Sequence, residues 1–531
     1  MLETPRARRG MVTSPHHLAS QAGLDILKAG GTAVEAAIAV AACLAVVYPH
    51  MTGIGGDGFW LIAEPGKKPT TVDACGRAGA AVDLAYYAAQ GRNTIPFRGP
   101  SAANTVAGTV SGWQKALDIS RHWQQPLSRE QLLESAIHYA ESGIVVTRSQ
   151  SELTAEKAGE LQDQPNFAAA FMPDGQAPAE GDVLKLPALG ATLKRLAADG
   201  FETFYKGKLA DSIAADLEKV GAPITAADLQ HHQASERPPL SVAVRGAELF
   251  NMAPPTQGLS SLMILALFDR LGVTQAEGFD HIHGLVEATK QAFLVRDEHV
   301  GDPDHMTVDP ATFLQEAALD ELARRIDRTT ALPWPHIRKP GDTIWLGVID
   351  GHGNSVSFIQ SVYFEFGSGV VLPETGICSR NEAPRFCQQM PVSGWNALKP
   401  SRKPFHTLNP AMAIFDDGRR MVYGNMGGEG QPQTQAAVFS RYGMFNTPLQ
   451  QAVSAPRWLL GKTWGDESVT LKLEDRFDPA LIAQLRAAGH EVEILGSYTG
   501  IMGHAGAIVR HAGGVLEGAT DPRSDGAVAA W

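Results

Sequence analysis

One threonine in this sequence could do chemistry through its own backbone. Thr343 follows Asp342 and opens the run "TIWLGVID". A threonine hydroxyl is a poor nucleophile until a base takes its proton, and one available base is the α-amine of the same residue. A free α-amine has a pKa of about 7.7–8.0, so near neutral pH it can accept and return a proton. That route opens only if the Asp342–Thr343 bond is first cut. The other reading is an ordinary threonine at a strand edge, and the local residues suit both.

The elements around Thr343 bear on the choice. Ahead of it, "RIDRTTALPWPHIRKPGD" is polar and punctuated by proline, the composition of an exposed connector. Behind it, "TIWLGVID" and "NSVSFIQSVY" predict two strands joined by the turn Asp350-Gly351-His352-Gly353-Asn354. The change in composition and the start of the strand coincide at Thr343. Further strand-like runs follow in "AMAIFDDGRRMVYGN", near "HEVEIL" and in "GHAGAIVRHAGGVLEGAT", with a helix at "PQTQAAVFSRYG".

Upstream, "SPHHLASQAGLDILKAGGTAVEAAIAVAACLAVVYPH" predicts two helices broken at Gly30-Gly31, and residues 120 to 330 are rich in helical patterns. "TGIGGDGFWLIAE" reads as a glycine-rich turn entering a strand. It lacks the spacing of a dinucleotide or phosphate loop, so close backbone packing is the expectation. Strands flanked by helices predict an α/β layered fold.

Bulk properties exclude some functions. The chain has 531 residues, 44% of them hydrophobic and 19% charged, an ordinary globular composition that by length alone predicts two or three compact units. A net charge of −12 with no basic run argues against nucleic acid and anionic membranes as partners. Four cysteines are too few for a disulfide framework, and free thiols are expected in preference to a Cys378–Cys387 pair. The first residues, "MLETPRARRGMVTSPHH", lack the apolar core of a secretory signal. "AAIAVAACLAVV" is shorter than the ~18 residues a membrane span needs and reads as a buried helix, so the cytoplasm is the expected compartment. His16-His17, His281, His283 and His352 do not form a ligand set, and neither metal nor cofactor is expected.

The segment "GDTIWLGVIDGHGNSVSFIQSVYFEFGSGVVLPETGI" resembles the start of the small subunit in the γ-glutamyltransferase family. "GMVTSPHHLASQAGLDILKAGGTAVEAAIA", "VVYPHMTGIGGDGFWLI", "VAGTVSGW", "PPTQGLSSL" and "EATKQAFLVRD" resemble blocks of the large subunit. "LNPAMAIFDDGR" and "GNMGGEGQPQTQ" resemble later blocks of the small one. The resemblance implies a four-layered α-β-β-α sandwich of the N-terminal nucleophile hydrolase type, built jointly by two products of one self-inflicted cut. These would be a large subunit, 1–342, and a small subunit, 343–531, that stay associated, with a dimer of such pairs as the expected assembly.

The same resemblance assigns roles. Thr343 takes the position of the nucleophile and amine base, and Asp342–Thr343 that of the cleaved bond. Ser361 takes the position of a threonine that hydrogen-bonds the nucleophile, and Gly427 and Gly428 that of the oxyanion hole. The γ-glutamyl contacts carry over badly. An arginine is expected in "VDACGRAGAAV", where Cys75 stands with Arg77 two places away. An acidic residue is expected in "SRNEAPRFC", where this chain has Arg385. Tyr363 replaces an asparagine, and His406-Thr407 replaces a pair of serines.

Losing a carboxylate and gaining a guanidinium disfavours a substrate ammonium and favours a small anion. Arg385, His406, Thr407, Tyr363 and Arg77 are therefore the expected substrate contacts. The reaction expected is hydrolysis of a small anionic amide with water. Within the family the sequence is most like members that cleave oxamate to oxalate and ammonia in oxidative purine breakdown. The alternatives are a γ-glutamyl hydrolase or transpeptidase, and an acylase for dicarboxylic side chains of the cephalosporin type.

Overall fold

A computed structural model describes residues 3–335, 342–380, 396–461 and 468–531. Two seven-stranded antiparallel sheets form its centre. One runs in the order Arg6–Ala7, Leu516–Thr520, Ala505–Arg510, Arg420–Asn425, Ala411–Phe415, Ala247–Asn251, Leu240–Val244. The other runs Ala527–Ala530, Gly10–Ser14, Asp342–Asp350, Ser355–Tyr363, Asp57–Ala63, Thr70–Ala74, Ser235–Arg237. Both sheets draw strands from either side of Thr343.

Alternation along the strands explains the layering. In the 342–350 strand, Ile344, Leu346 and Val348 join an apolar cluster with helices His17–Lys28, Ala33–Val47 and Arg129–Ser142. Trp345 and Ile349 face the opposite sheet, the first described, instead. On that opposite sheet Leu249, Ala413, Met421 and Tyr423 pack outward against helices Gly258–Arg270, Phe279–His299 and Gln431–Phe439. Met11, Leu61, Ile349, Phe250, Met412, Val422 and Ile508 fill the space between the sheets. The result is helix, sheet, sheet, helix.

The 33–47 helix shows why its sequence has no polar stripe. All fifteen residues are buried, and a reciprocal cap between Thr32 and Glu35 satisfies its first amides. Among the described residues no helix is long and apolar enough to cross a membrane.

Candidate active site

The register of three neighbouring strands brings Thr343, Ser361 and Asp57 into one row. Asp342 pairs with Tyr363 and Ile344 with Gln360, so Thr343 alone stands opposite Ser361 and Val362, and a bulge lies there. On its other side Ser361 pairs with Asp57. Two residues along each strand lie Trp345, Ile359 and Phe59, all in the apolar cluster between the sheets. The pleat therefore turns Thr343, Ser361 and Asp57 toward that same interior, at the strand ends and above an apolar floor. Thr343 and Asp57 are fully buried and Ser361 nearly so.

The glycine-rich turn before Asp57 is packed as tightly as its composition suggests. A Cβ on Gly56 would fall 2.0 Å from the Ser361 carbonyl oxygen. Beyond the row, the Ser361 Oγ accepts a hydrogen bond from the Tyr363 N–H at 2.7 Å. Tyr363 is buried with φ of 85°, a conformation that a bulky side chain adopts only when its surroundings impose it.

Asp57 is the electrostatic hub. Its Oδ1 accepts from the N–H groups of Gly76 and Gly108 at 2.9 and 3.1 Å and pairs with the Arg380 guanidinium. Its Oδ2 lies 3.0 Å from the Nε2 of His406. Three donors on Oδ1, with the His406 ring beside Oδ2, offset the cost of burying this carboxylate. Burial and the nearby Asp57 charge push the Cys75 thiol well above its usual range. Asp57, Cys75 and His406 have the mutual spacing of metal ligands, but a guanidinium already sits on the carboxylate and the thiol is held protonated. Those donors do not suit a cation.

His283, Glu287 and His490 form the other such group among the described residues. There the Lys290 ammonium, 2.6 Å from the Glu287 Oε1, fills the cation's place.

The opposite wall comes from the facing sheet, which holds the Arg420–Asn425 strand. A Cβ on Gly347 would lie 3.2 Å from the Val422 side chain, and one on Gly424 2.3 Å from the Trp345 indole. Stepping on by two residues brings Thr343 to the level of Met426 and the following Gly427-Gly428. Both glycines are buried, with φ of 127° and 47°. Among the described residues neither of their N–H groups donates a hydrogen bond.

Their carbonyl partners are committed. Met426 O accepts from the Asn425 Nδ2 at 2.8 Å, and Gly427 O from the Gly430 N–H at 2.7 Å. In a trans peptide the N–H points opposite to its carbonyl, so both amides are aimed away from these anchors. Two buried, uncommitted N–H groups side by side suit an anion.

The His406-Thr407 segment joins this wall through Gln257. Its N–H donates to His406 O at 2.9 Å, and its Nε2 donates to both Thr407 O and Gly428 O at 2.8 Å. Arg296, fully buried, donates to the Gln257 Oε1 and to Glu429 at 2.7 Å. Among the described residues the buried Thr407 hydroxyl has no hydrogen-bond partner.

Thr343, Ser361, His406, Thr407, Gly427 and Gly428 thus belong to one region, as does Tyr363 at its edge. Arg77 is committed elsewhere: its guanidinium bonds Asp304 at 2.7 Å and the Ser401 carbonyl at 3.0 Å, and lies 3.5 Å from Asp302. Arg385 lies outside the described residues, as does Cys387; Cys43, Cys75 and Cys378 are free. Sequence reasoning overlooked Asp57, Arg380, Gln257 and Asn425. The one available signal was Asp57 inside a glycine-rich turn, where a charged residue amid close backbone packing must have partners.

Two facing antiparallel sheets between helical layers, one opening on a buried threonine, define an N-terminal nucleophile hydrolase fold. A family model described as gamma-glutamyltranspeptidase matches residues 19–531, and the chain belongs to that family. It is 54% identical to an oxamate amidohydrolase proenzyme of Klebsiella pneumoniae subsp. pneumoniae, over 98% of both chains. It is 31% identical to a glutathione hydrolase proenzyme of Escherichia coli, over 98% of this chain and 91% of the relative. Among solved structures, a cephalosporin acylase from Bacillus halodurans superposes with a TM-score of 0.91 at 33% identity, over 100% of this chain and 97% of that one. These likenesses make the chain a hydrolase of the amidohydrolase kind within the family.

Proposed function

We propose that the chain is a precursor that cuts itself between Asp342 and Thr343 and then hydrolyses a small anionic amide, oxamate being the substrate best supported. The observation that carries this reading is the pairing of the buried Thr343–Ser361 row with two uncommitted amides on the facing wall. The 54% identity to an oxamate amidohydrolase supports the choice of substrate.

In the precursor, the Thr343 hydroxyl attacks the Asp342 carbonyl carbon. The peptide C–N bond breaks, its nitrogen takes a proton and becomes the free Thr343 amine, and water hydrolyses the ester left on the hydroxyl. In the mature enzyme that amine takes the hydroxyl proton as Oγ attacks the amide carbon. Gly427 and Gly428 N–H groups receive the oxyanion. The C–N bond then breaks, the amine returns its proton to the departing ammonia, and water releases oxalate from the acyl-enzyme. Ser361 supports the nucleophile. Thr407, with its uncommitted hydroxyl, and His406 contact the substrate carboxylate, with Tyr363 narrowing the pocket and Arg385 supplying a cation.

A gel and an ammonia assay test this together. Two fragments and ammonia release from oxamate in excess of release from a chromogenic γ-glutamyl anilide are the expected result. Turnover of the anilide alone would overturn the substrate, and a single uncut chain without activity would overturn the whole reading. The likeness to a cephalosporin acylase supports a second reading, an acylase for dicarboxylic side chains, which a glutaryl anilide assay would reveal.

A further inference from the structure

We propose that Asn425 is a positioning residue for the oxyanion site, acting through the Met426 carbonyl; the inference rests on the catalytic reading of Gly427 and Gly428 above. Asn425 ends the 420–425 strand, paired with Ala505, and is fully buried. Met421 and Tyr423, two and four residues before it, face the outer helices, whereas Gly424 faces Trp345. Asn425 thus lies behind the wall that Thr343 faces and reaches the reaction only through the backbone.

Its reach is specific. Only the NH2 end of the side chain can face a carbonyl, and Nδ2 lies 2.8 Å from Met426 O. That oxygen belongs to the peptide unit that carries the Gly427 N–H. Rotating the unit would move both together, so the side chain sets where the amide points. The Met426 N–H, in the preceding peptide unit, donates to His504 O at 2.9 Å, and the Met426 carbonyl itself is crowded by Gly503, where a Cβ would come within 2.3 Å of its oxygen. The second amide needs no side chain, because the Gly430 N–H anchors the Gly427 carbonyl. Among the described residues Asn425 is therefore the one side chain that hydrogen-bonds a peptide unit carrying either of these amides.

The other half of the asparagine argues the same way. Among the described residues its buried Oδ1 has no hydrogen-bond partner. An apolar residue of that size would avoid the cost of an unmet buried acceptor. A polar group kept at such a cost, next to a pair of uncommitted amides, is placed for what its Nδ2 does.

The test compares Asn425→Asp and Asn425→Ser with the unaltered chain, following self-cleavage by gel and steady-state ammonia release from oxamate, with the γ-glutamyl anilide assayed in parallel. An ionised aspartate turns an acceptor against the Met426 carbonyl. At about pH 8.5 we expect kcat to fall about 100-fold with KM changed less than about threefold, the signature of a lost oxyanion donor. Acidification to about pH 6 should raise the kcat of Asn425→Asp relative to the unaltered chain by about tenfold, because a protonated carboxyl can donate to Met426 O. Asn425→Ser is too short to reach and should lose kcat without that recovery.

A kcat within twofold of the unaltered chain, a parallel change in KM and kcat, or a ratio that stays flat with pH would overturn the proposal. If Asn425→Asp does not fold, the kcat-against-KM split of Asn425→Ser decides. If the unaltered chain turns over the anilide and not oxamate, the substrate reading fails while Asn425 is judged on the anilide. If it turns over neither, both inferences fall.

Discussion

Trp345 fills the space that a side chain at Gly424 would need, its indole 2.3 Å from where a Cβ would stand. This contact keys one sheet against the other and fixes the level at which Thr343 meets Met426. The indole is itself held by a 2.9 Å hydrogen bond from its Nε1 to the Ser357 Oγ. The catalytic alignment proposed above therefore depends on a packing contact two residues from Thr343.

Replacing Thr343 separates cutting from folding. Thr343→Ala should give a folded single chain of 56.7 kDa that never divides and releases no ammonia. Thr343→Ser keeps a hydroxyl and should divide more slowly. Two fragments from the alanine variant, seen on a denaturing gel, would remove Thr343 as nucleophile.

Ser361 should matter more to rate than to stability. Ser361→Ala removes the oxygen that accepts the Tyr363 N–H and should lower kcat on the order of 10- to 100-fold, whereas Ser361→Thr should keep most of it. Equal rates in the alanine variant and the unaltered chain would show that Thr343 does not use it.

Asp57→Asn tests the hub. The Arg380 guanidinium and the His406 ring would lose their shared carboxylate inside the protein, which typically costs about 3–5 kcal/mol. Urea unfolding of the uncleavable Thr343→Ala background should show a matching loss. A change below about 1 kcal/mol would mean that Arg380 finds other partners.

Acid should destabilise the fold through buried histidines. Burial holds His16 and His504 at about 4, against an ordinary 6.5. Each binds its proton in the unfolded chain first, so its contribution is complete above about pH 6.5 and is lost as pH falls toward 4. Together with His17, the groups facing them include Asp525, Asp521, Tyr48, Arg457 and Arg523. Each histidine should account for on the order of 2–3 kcal/mol over that range. Thermal melts of His504→Asn should show a shallower acid slope; an unchanged slope would exclude that histidine.

Much of the architecture was legible because it repeats. Alternation in "TIWLGVID" and "NSVSFIQSVY" announces the paired strands, and the helix-rich middle supplies the outer layers. The site was legible only where a residue has a chemical reason to be read alone, as Thr343 does. Asp57, Arg380 and Asn425 carry no such mark. Each is an ordinary polar residue whose meaning comes from partners hundreds of residues away or from the direction of a peptide bond, which periodicity does not encode. Arg77 shows the converse: a guanidinium close in sequence to the expected position spends its donors on Asp302, Asp304 and the Ser401 carbonyl.

The mixed origin of the sheets carries a last consequence. The 342–350 strand is flanked by the 10–14 strand and by the 355–363 strand, which in turn pairs with 57–63. If the chain is cut as proposed, each fragment would be woven through the other, and neither could leave without unzipping ladders in both sheets. Mature molecules mixed together would then not trade halves. A catalytically dead half paired with a sound one could be obtained only by folding the two together from the start, which makes such hybrids a record of how the molecule was assembled.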